Sequence, residues 1–430
     1  MYFTQQDIQA RRDRLAAAWN EQLAPGEAVL VYSGDPIGKP GGLDQTYPFL
    51  PHPAYFWLTG RRRESEVLLY SRDGGWVEFQ KSVGPDEAVW EGPRTDLLVE
   101  GPGKPLESFE SALAASHFSA VYALGQIAGP VEGKAFALRT SLDRARRKKD
   151  AAEVRLLRQL AGIAGAGYAR IQEILRPGLT ERHLQAAYEG ELLIQGAHAA
   201  PYECIVGAGP NSAILHALPT ERVIGEGEFV LVDAGAAIYD YCVDITRMFP
   251  SSEPVSQQHK DLYRIVQQAH AECIGMSKPG VPWREVHLHA ARVIAGGLVS
   301  LGIMKGDPAE LVAREATSVF FPHGLGHLVG LRVRDAGHAD NLQPKTYAGA
   351  RLRVDIDLEE GHCITVEPGC YFIPALLDNA EVRARFRDDI NWNEAAKWAG
   401  IGGVRIEDNI LITAGGNDNL TIGVPKSSAF

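Results

Sequence analysis

The chain has 430 residues, too many for one compact core and suited to two domains. It is 45% apolar and 23% charged, which is the composition of a globular protein, and its net charge of −11 argues against a nucleic-acid footprint and against binding to an anionic membrane surface. Five scattered cysteines (Cys204, Cys242, Cys273, Cys363 and Cys370) lack CxxC spacing and suggest reduced thiols. The first residues have no apolar core of signal-peptide type, and no window approaches the roughly 18 apolar residues of a spanning helix. A cytoplasmic protein without membrane or nucleic-acid partners is therefore expected.

In chain order, residues 4–23 predict a helix with Ile8, Leu15 and Trp19 on one side. Residues 28–32 (AVLVY) predict a short buried strand, followed by a Gly/Pro-rich loop over 34–42. Strands are expected at 55–60 (YFWLTG), 66–70, 76–80 and 120–123, and mostly loop over 84–110. The basic run RARRKKD at 144–150 reads as a solvated face near a domain boundary. Asp150 and Glu153 have the spacing of a capping box, and apolar residues from Val154 to Leu175 then recur at helical spacing. Pro177-Gly178 ends that helix and Thr180 can cap the next. Further helices are expected at 255–278 and 283–300, and strands at 202–207, 228–233, 237–248, 362–367 and 404–412.

The segment FPHGLGHLVGLRVRD, residues 321–335, carries His323 and His327 four apart. That spacing imitates a zincin helix, but the glutamate such a helix needs is Gly324 here, and each glycine would weaken a helix by about 1 kcal/mol. A tight, glycine-permitted segment that fixes imidazole directions is expected instead.

Four acids sit where acids are costly. Asp233 ends the apolar run EFVLVDA, and Asp244 lies in YCVDITRMF with Gly235 permitting a turn between them. Glu367 closes the apolar run 363–366 ahead of Pro368-Gly369, and Glu407 lies in GVRIEDNILI. One such acid is commonly a salt-bridged core residue. Four of them with a fixed histidine suggest carboxylates that converge and need a cation to relieve their repulsion. Two divalent ions would balance the four charges, and oxygen donors with one imidazole suit Mn2+, Co2+ or Zn2+. Two ions roughly 3.5 Å apart can share and acidify a water, which is a hydrolase design.

The set Asp233, Asp244, His327, Glu367 and Glu407, in this order and with these surroundings, resembles the pita-bread metallopeptidases. That family includes methionine aminopeptidase, aminopeptidase P and prolidase. The resemblance covers residues 150–430, and HPAYFWLTG earlier in the chain resembles the creatinase-type N-terminal domain. It implies an α+β fold with a pita-bread catalytic domain over 149–430 and a mixed α/β creatinase-type domain over 1–148. It also implies two divalent metal ions, Mn2+ foremost with Co2+ or Zn2+ as alternatives. Asp233 would be a terminal ligand, Asp244 and Glu407 would bridge, and His327 and Glu367 would complete the second metal. Glu367 would also take the proton of a metal-bridging water. By the same resemblance His216, seventeen residues before Asp233, lines the substrate pocket, and His323 meets substrate or the tetrahedral oxyanion.

Within the family, the prolidase branch is expected, acting on Xaa-Pro dipeptides. Arg353, fourteen residues before Glu367, matches the arginine with which the dipeptidases grip a C-terminal carboxylate, and CYFIPALLDNAE resembles them too. Arg405, beside Glu407, is placed with the substrate-side arginines and helps order the metal-site carboxylates. The family's homodimers imply a homodimer here. Aminopeptidase P, acting on longer Xaa-Pro peptides, is the alternative. A non-catalytic pita-bread binding protein is the alternative of another class. One position departs: seven residues after His327 the family has a histidine in VHD, whereas this chain reads VRD with Arg334. Arginine only donates and stays charged. Arg334 is thus expected to hold substrate or the tetrahedral intermediate as a fixed donor.

Overall fold

The computed structural model describes residues 2–92, 101, 103–337 and 345–427. The chain divides into two compact units, Met1–Arg146 and Arg147–Phe430.

The first unit is built on a five-stranded sheet. In spatial order its strands are Lys104–Pro105, Gly75–Gln80, Val67–Ser71, Glu27–Tyr32 and Ala120–Gly125. Glu27–Tyr32 runs antiparallel to Val67–Ser71 and parallel to Ala120–Gly125. The expected strand at 55–60 is instead the helix Pro53–Thr59, capped by the His52 ring nitrogen and ended by Gly60 in the left-handed region. All six residues Ala54–Thr59 are buried, so no periodicity separates helix from strand there, and Pro53 at the first turn favours the helix. The stretch 84–110, expected to be mostly loop, holds the helix Pro85–Glu91, the short strand Lys104–Pro105 and the start of the helix Phe109–Ala115, while 93–100 and 102 lie outside the described residues.

The second unit opens on the helix Ala151–Ile174. Its capping box closes both ways: the Glu153 N–H donates to Asp150 Oδ1 at 2.9 Å and the Asp150 N–H to Glu153 Oε2 at 2.9 Å. Glu181–Ile194 follows, capped by Thr180. Among the described residues two three-stranded antiparallel sheets follow, with three two-stranded pairs, one of them Gly369–Tyr371 with Gly403–Arg405. Of the three-stranded sheets, one has the order Thr246–Pro250, Phe229–Asp233, Ile205–Ala208, and the other Cys363–Val366, Asp408–Thr413, Gly416–Asn419. Glu407 joins the two through a bridge to Thr246, its N–H donating to the Thr246 carbonyl at 3.1 Å.

Helices Gln257–Met276 and Trp283–Ser300 cover this β layer. Leu262, Val266, Val286 and Ile294 pack with Phe229, Leu231, Ile364 and Ile410 into one apolar core. Each such buried side chain contributes about 1.5–3 kcal/mol. All five cysteines are free and buried, and no helix among the described residues is long and apolar enough to cross a membrane.

The basic run at the junction is a solvated face only at Arg144 and Lys148; Arg146, Arg147 and Lys149 are buried. Arg147 Nε donates to the Ala336 carbonyl at 2.7 Å, and Lys149 Nζ to Asp335 Oδ2 at 2.8 Å. Arg147 and Lys149 tolerate burial because each meets an acceptor on one loop.

Candidate metal centre

The two sheets deliver acids to one place because their strand ends coincide. Asp233 is the last residue of Phe229–Asp233 and is paired in register with Thr246, two residues beyond Asp244. Gly235 allows this closeness, since a Cβ there would lie 1.9 Å from the Val243 carbonyl oxygen. Val366 pairs with Asp408, which sets Glu367 and Glu407 beside each other at the ends of the second pair.

The segment 321–335 is not helical, as expected. Gly326 runs so near the strand Cys363–Val366 that a Cβ would lie 2.0 Å from the Thr365 carbonyl oxygen. Thr365 then locks the histidine. The His327 N–H donates to Thr365 Oγ1 at 3.0 Å, and the Thr365 N–H donates to the His327 carbonyl at 2.9 Å. His327 Nδ1 lies 3.2 Å from the Leu328 carbonyl, so this nitrogen carries the proton of the neutral ring; Nε2 would then offer its lone pair to a cation or, when protonated, donates toward Asp244.

Asp233, Asp244, His327, Glu367 and Glu407 are thereby brought together, each no more than 9% exposed. His327 Nε2 lies 3.4 Å from Asp244 Oδ2 and 3.6 Å from Glu367 Oε1. Ligand atoms of Asp244, His327 and Glu407 all lie within 4.8 Å of one another. The Tyr202 hydroxyl bonds both Asp233 Oδ1, at 2.8 Å, and Asp244 Oδ1. Thr246 Oγ1 donates to Glu407 Oε2 at 2.7 Å, whereas Glu407 Oε1 is buried with no hydrogen-bond partner.

The electrostatics describe a cluster short of positive charge. Burial pushes the Glu367 carboxyl up to about 7 and the Asp233 carboxyl up to about 6, against the pull of His327 on the first and Arg405 on the second. Burial and the neighbouring Asp244, Glu367 and Asp233 raise Glu407 far above the ordinary range. Asp244 alone is lowered: burial opposes its charge, but bonds from His327 and Tyr202 outweigh it. Burial also opposes a charge on His327, yet Asp244 and Glu367 raise its pKa. Four convergent carboxylates, one imidazole with a free lone pair and an orphaned buried oxygen fit a pair of hard or borderline divalent cations. Buried Cys242 and Cys363 take no part, which disfavours a thiolate-seeking ion.

The centre opens into a cavity of about 630 Å3. His216, Arg334 and Arg353 line it, as do Arg332, Val333, Leu215 and Leu218. Partial burial and the charges of Arg334, Arg405 and Arg353 lower the pKa of His216, so its ring faces the cavity neutral. His323 is held differently. Its Nδ1 lies 2.9 Å from the Gly324 carbonyl and its Nε2 2.8 Å from the Tyr371 hydroxyl, which accepts from Arg405 Nη1 at 3.0 Å. The chain Arg405 to Tyr371 to His323 engages both ring nitrogens with protein, and burial with Arg405 lowers the ring's pKa to about 3. Arg405 itself donates to Asp233, Tyr371 and Thr246, the last at 3.1 Å, and so orients carboxylates.

Reading the chain for acids missed Tyr202, Thr246, Thr365 and Tyr371. A neutral hydroxyl in a strand carries no desolvation anomaly, so only pairing with an acid two residues away (Thr246 after Asp244, Thr365 before Glu367) could have pointed to the two threonines.

Comparison with known proteins agrees with this geometry. The family model for metallopeptidase family M24 matches residues 155–414, and that for the aminopeptidase P N-terminal domain matches 8–98. A probable Xaa-Pro aminopeptidase of Fusarium vanettenii is 33% identical over 406 residues, 88% of this chain and 85% of that one. One of Botryotinia fuckeliana is 33% identical over 393 residues, 88% and 86% of the two chains. Among solved structures, aminopeptidase P from E. coli with the inhibitor Pro-Leu superposes with a TM-score of 0.79 at 29% identity, covering 98% of this chain and 96% of that one. Proline aminopeptidase P II from Yersinia pestis gives 0.80 at 29%, covering 99% and 98%. These relatives favour the aminopeptidase alternative over the dipeptidase branch expected from Arg353; an arginine near the site does not by itself separate two branches that share the five-residue set. With its pita-bread catalytic unit behind an aminopeptidase P-type N-terminal domain, this chain belongs to metallopeptidase family M24.

Proposed function

We propose that this protein is an Xaa-Pro aminopeptidase that removes the residue before proline from short peptides. The convergence of Asp233, Asp244, His327, Glu367 and Glu407 at the floor of one cavity carries the reading, supported by the names of its relatives. In this reading those five side chains hold two divalent cations, Mn2+ first, with Co2+ or Zn2+ as alternatives. When bound, such a pair supplies Lewis-acid polarisation of the scissile carbonyl and a more acidic water. Glu367 takes the proton of the attacking water on Oε2 and returns it to the leaving proline nitrogen. His216 flanks the reacting carbonyl from the cavity wall. The proline ring has no amide N–H to read, so the apolar Leu215, Leu218 and Val333 recognise its shape. Buried, unpaired thiols suit a cytosolic setting, and a homodimer is proposed on family grounds alone.

The test is a peptide screen on chelator-stripped protein with Mn2+, Co2+ and Zn2+ restored separately. Cleavage of Ala-Pro-Ala faster than Ala-Pro is expected. Cleavage of Ala-Pro alone would return the protein to the dipeptidase branch, and no cleavage with any ion would favour a binding protein.

A further inference from the structure

The charges lining the cavity do not balance once its floor is satisfied. Two divalent cations would match Asp233, Asp244, Glu367 and Glu407. Arg332 is matched by Asp240, Nη1 to Oδ2 at 3.2 Å, and Arg405 is fully engaged with Asp233, Tyr371 and Thr246. Because Asp233 is already counted against the cations, the charge of Arg405 is offset by that of exposed Glu203. Arg334 and Arg353 remain, and among the described residues neither has a hydrogen bond or an ion pair. They sense each other: burial and then, among the cations, Arg334 lower the pKa of Arg353, and both depress His216.

Both arginines rise from fixed backbone. Arg334 precedes Asp335, whose buried carboxylate takes Lys149 Nζ at 2.8 Å, the Leu331 N–H at 3.2 Å and the Ala336 N–H at 2.9 Å. Arg147 ties the next carbonyl, that of Ala336. Arg353 stands between buried Leu352 and Val354. A guanidinium presented on a braced loop without a counter-charge is a preformed acceptor for a carboxylate, which its planar fork binds with two parallel hydrogen bonds.

We propose that Arg334 and Arg353 form a dicationic subsite that selects short peptides whose residue after proline brings two carboxylates, an aspartate or glutamate with a free C-terminus. The inference rests on the peptidase reading above. Two unmatched cations facing one cavity are best relieved by two negative charges on one residue. Such a residue lies on the leaving side of the bond, where it fixes the register of the proline against the floor.

Calorimetry with the dipeptides Pro-Asp and Pro-Leu on Mn2+-loaded protein tests this without turnover. Pro-Asp should bind about tenfold more tightly, the scale of one further charge-assisted hydrogen-bonded contact. Arg334→Gln and Arg353→Gln should each remove most of that difference, and Arg334→Lys should restore part of it. Chelation of the cations by the aspartate would instead survive all three substitutions. Hydrolysis of Ala-Pro-Asp should exceed that of Ala-Pro-Ala through KM, and rising salt should narrow the gap. Equal binding of Pro-Asp and Pro-Leu, or a preference untouched by both glutamine variants, overturns the subsite. If Ala-Pro-Ala is cleaved while the dipeptides bind alike, the subsite fails and the peptidase reading stands. If no Xaa-Pro peptide is cleaved but Pro-Asp is still favoured through both arginines, the reverse holds.

Discussion

The floor of the cavity hangs from paired strands, whereas its cationic rim hangs from a loop braced by distant side chains. On the floor, register alone brings Asp233 beside Asp244 and Glu367 beside Glu407, and hydroxyls of Tyr202, Thr246 and Thr365 fix the carboxylate oxygens. At the rim, Arg334 has no strand to hold it and depends on Asp335, Lys149 and Arg147. Backbone pairing tolerates little change in the residues it positions. A braced loop can exchange the side chain it presents while its anchors stay, and this is where the chain departs from the VHD pattern.

The sharpest way to break this contrast is Asp244→Ala. It removes a floor group that meets His327 and Tyr202, and kcat/KM should fall at least about a thousandfold, a loss of ~4 kcal/mol in transition-state stabilisation. Elemental analysis should show less bound metal, and full metal content with a wild-type rate would sink the five-ligand reading.

Lys149→Met should do the converse. It leaves Asp335 buried without its cation, both side chains being 1% exposed, and should cost about 3–5 kcal/mol in denaturant unfolding. Metal content should remain that of wild type, because no floor residue depends on the pair. A parallel loss of metal would show that floor and rim are one structure.

Removing the cations should expose the charge shortage of the floor. In the cation-free protein the carboxyls of Glu367 and Asp233 are raised from 4.5 and 3.8 to about 7 and about 6. An acid raised on folding stabilises the fold in its protonated form, so this contribution is complete below about pH 4 and is lost as pH climbs through 6 to 7. Divalent ions bind the ionised form, so the Tm gained on adding Mn2+ should be larger at about pH 8 than at about pH 5. At a hundredfold excess over Kd the gain is ~2.7 kcal/mol. For a protein of this size that corresponds to about 3 °C by thermal melt. A gain independent of pH would place the ions elsewhere.

The smallest effect expected is that of Thr365→Val, which deletes the hydroxyl between the His327 N–H and Glu367 while keeping the strand. Outer partners of metal ligands are worth about 10–100-fold in affinity or rate. A titration with Mn2+ should show the loss. Unchanged affinity would mean that register alone aims the imidazole.

The floor was legible in the sequence because acids inside apolar strands are a local anomaly, visible at Asp233, Glu367 and Glu407 one run at a time. The glycines of 324–326 likewise excluded a helix from their own letters. The rest failed for want of local signal. Six consecutive buried residues at 54–59 carry no periodicity, so a helix passed for a strand. The basic run at 144–150 looked solvated because its partners, Asp335 and Ala336, lie 186 and 189 residues away. Tyr202 looked like the first residue of a strand, and only three dimensions set its hydroxyl between two carboxylates.

The brace also decides where this chain can be cut. A catalytic fragment starting at Asp150 would retain every candidate ligand and the helix cap, yet deprive Asp335 of its ammonium partner and the Ala336 carbonyl of its guanidinium. A fragment starting at or before Arg147 would retain both. Expression boundaries chosen from strands and ligands alone would thus yield a truncated protein that loads metal but presents a slack substrate mouth.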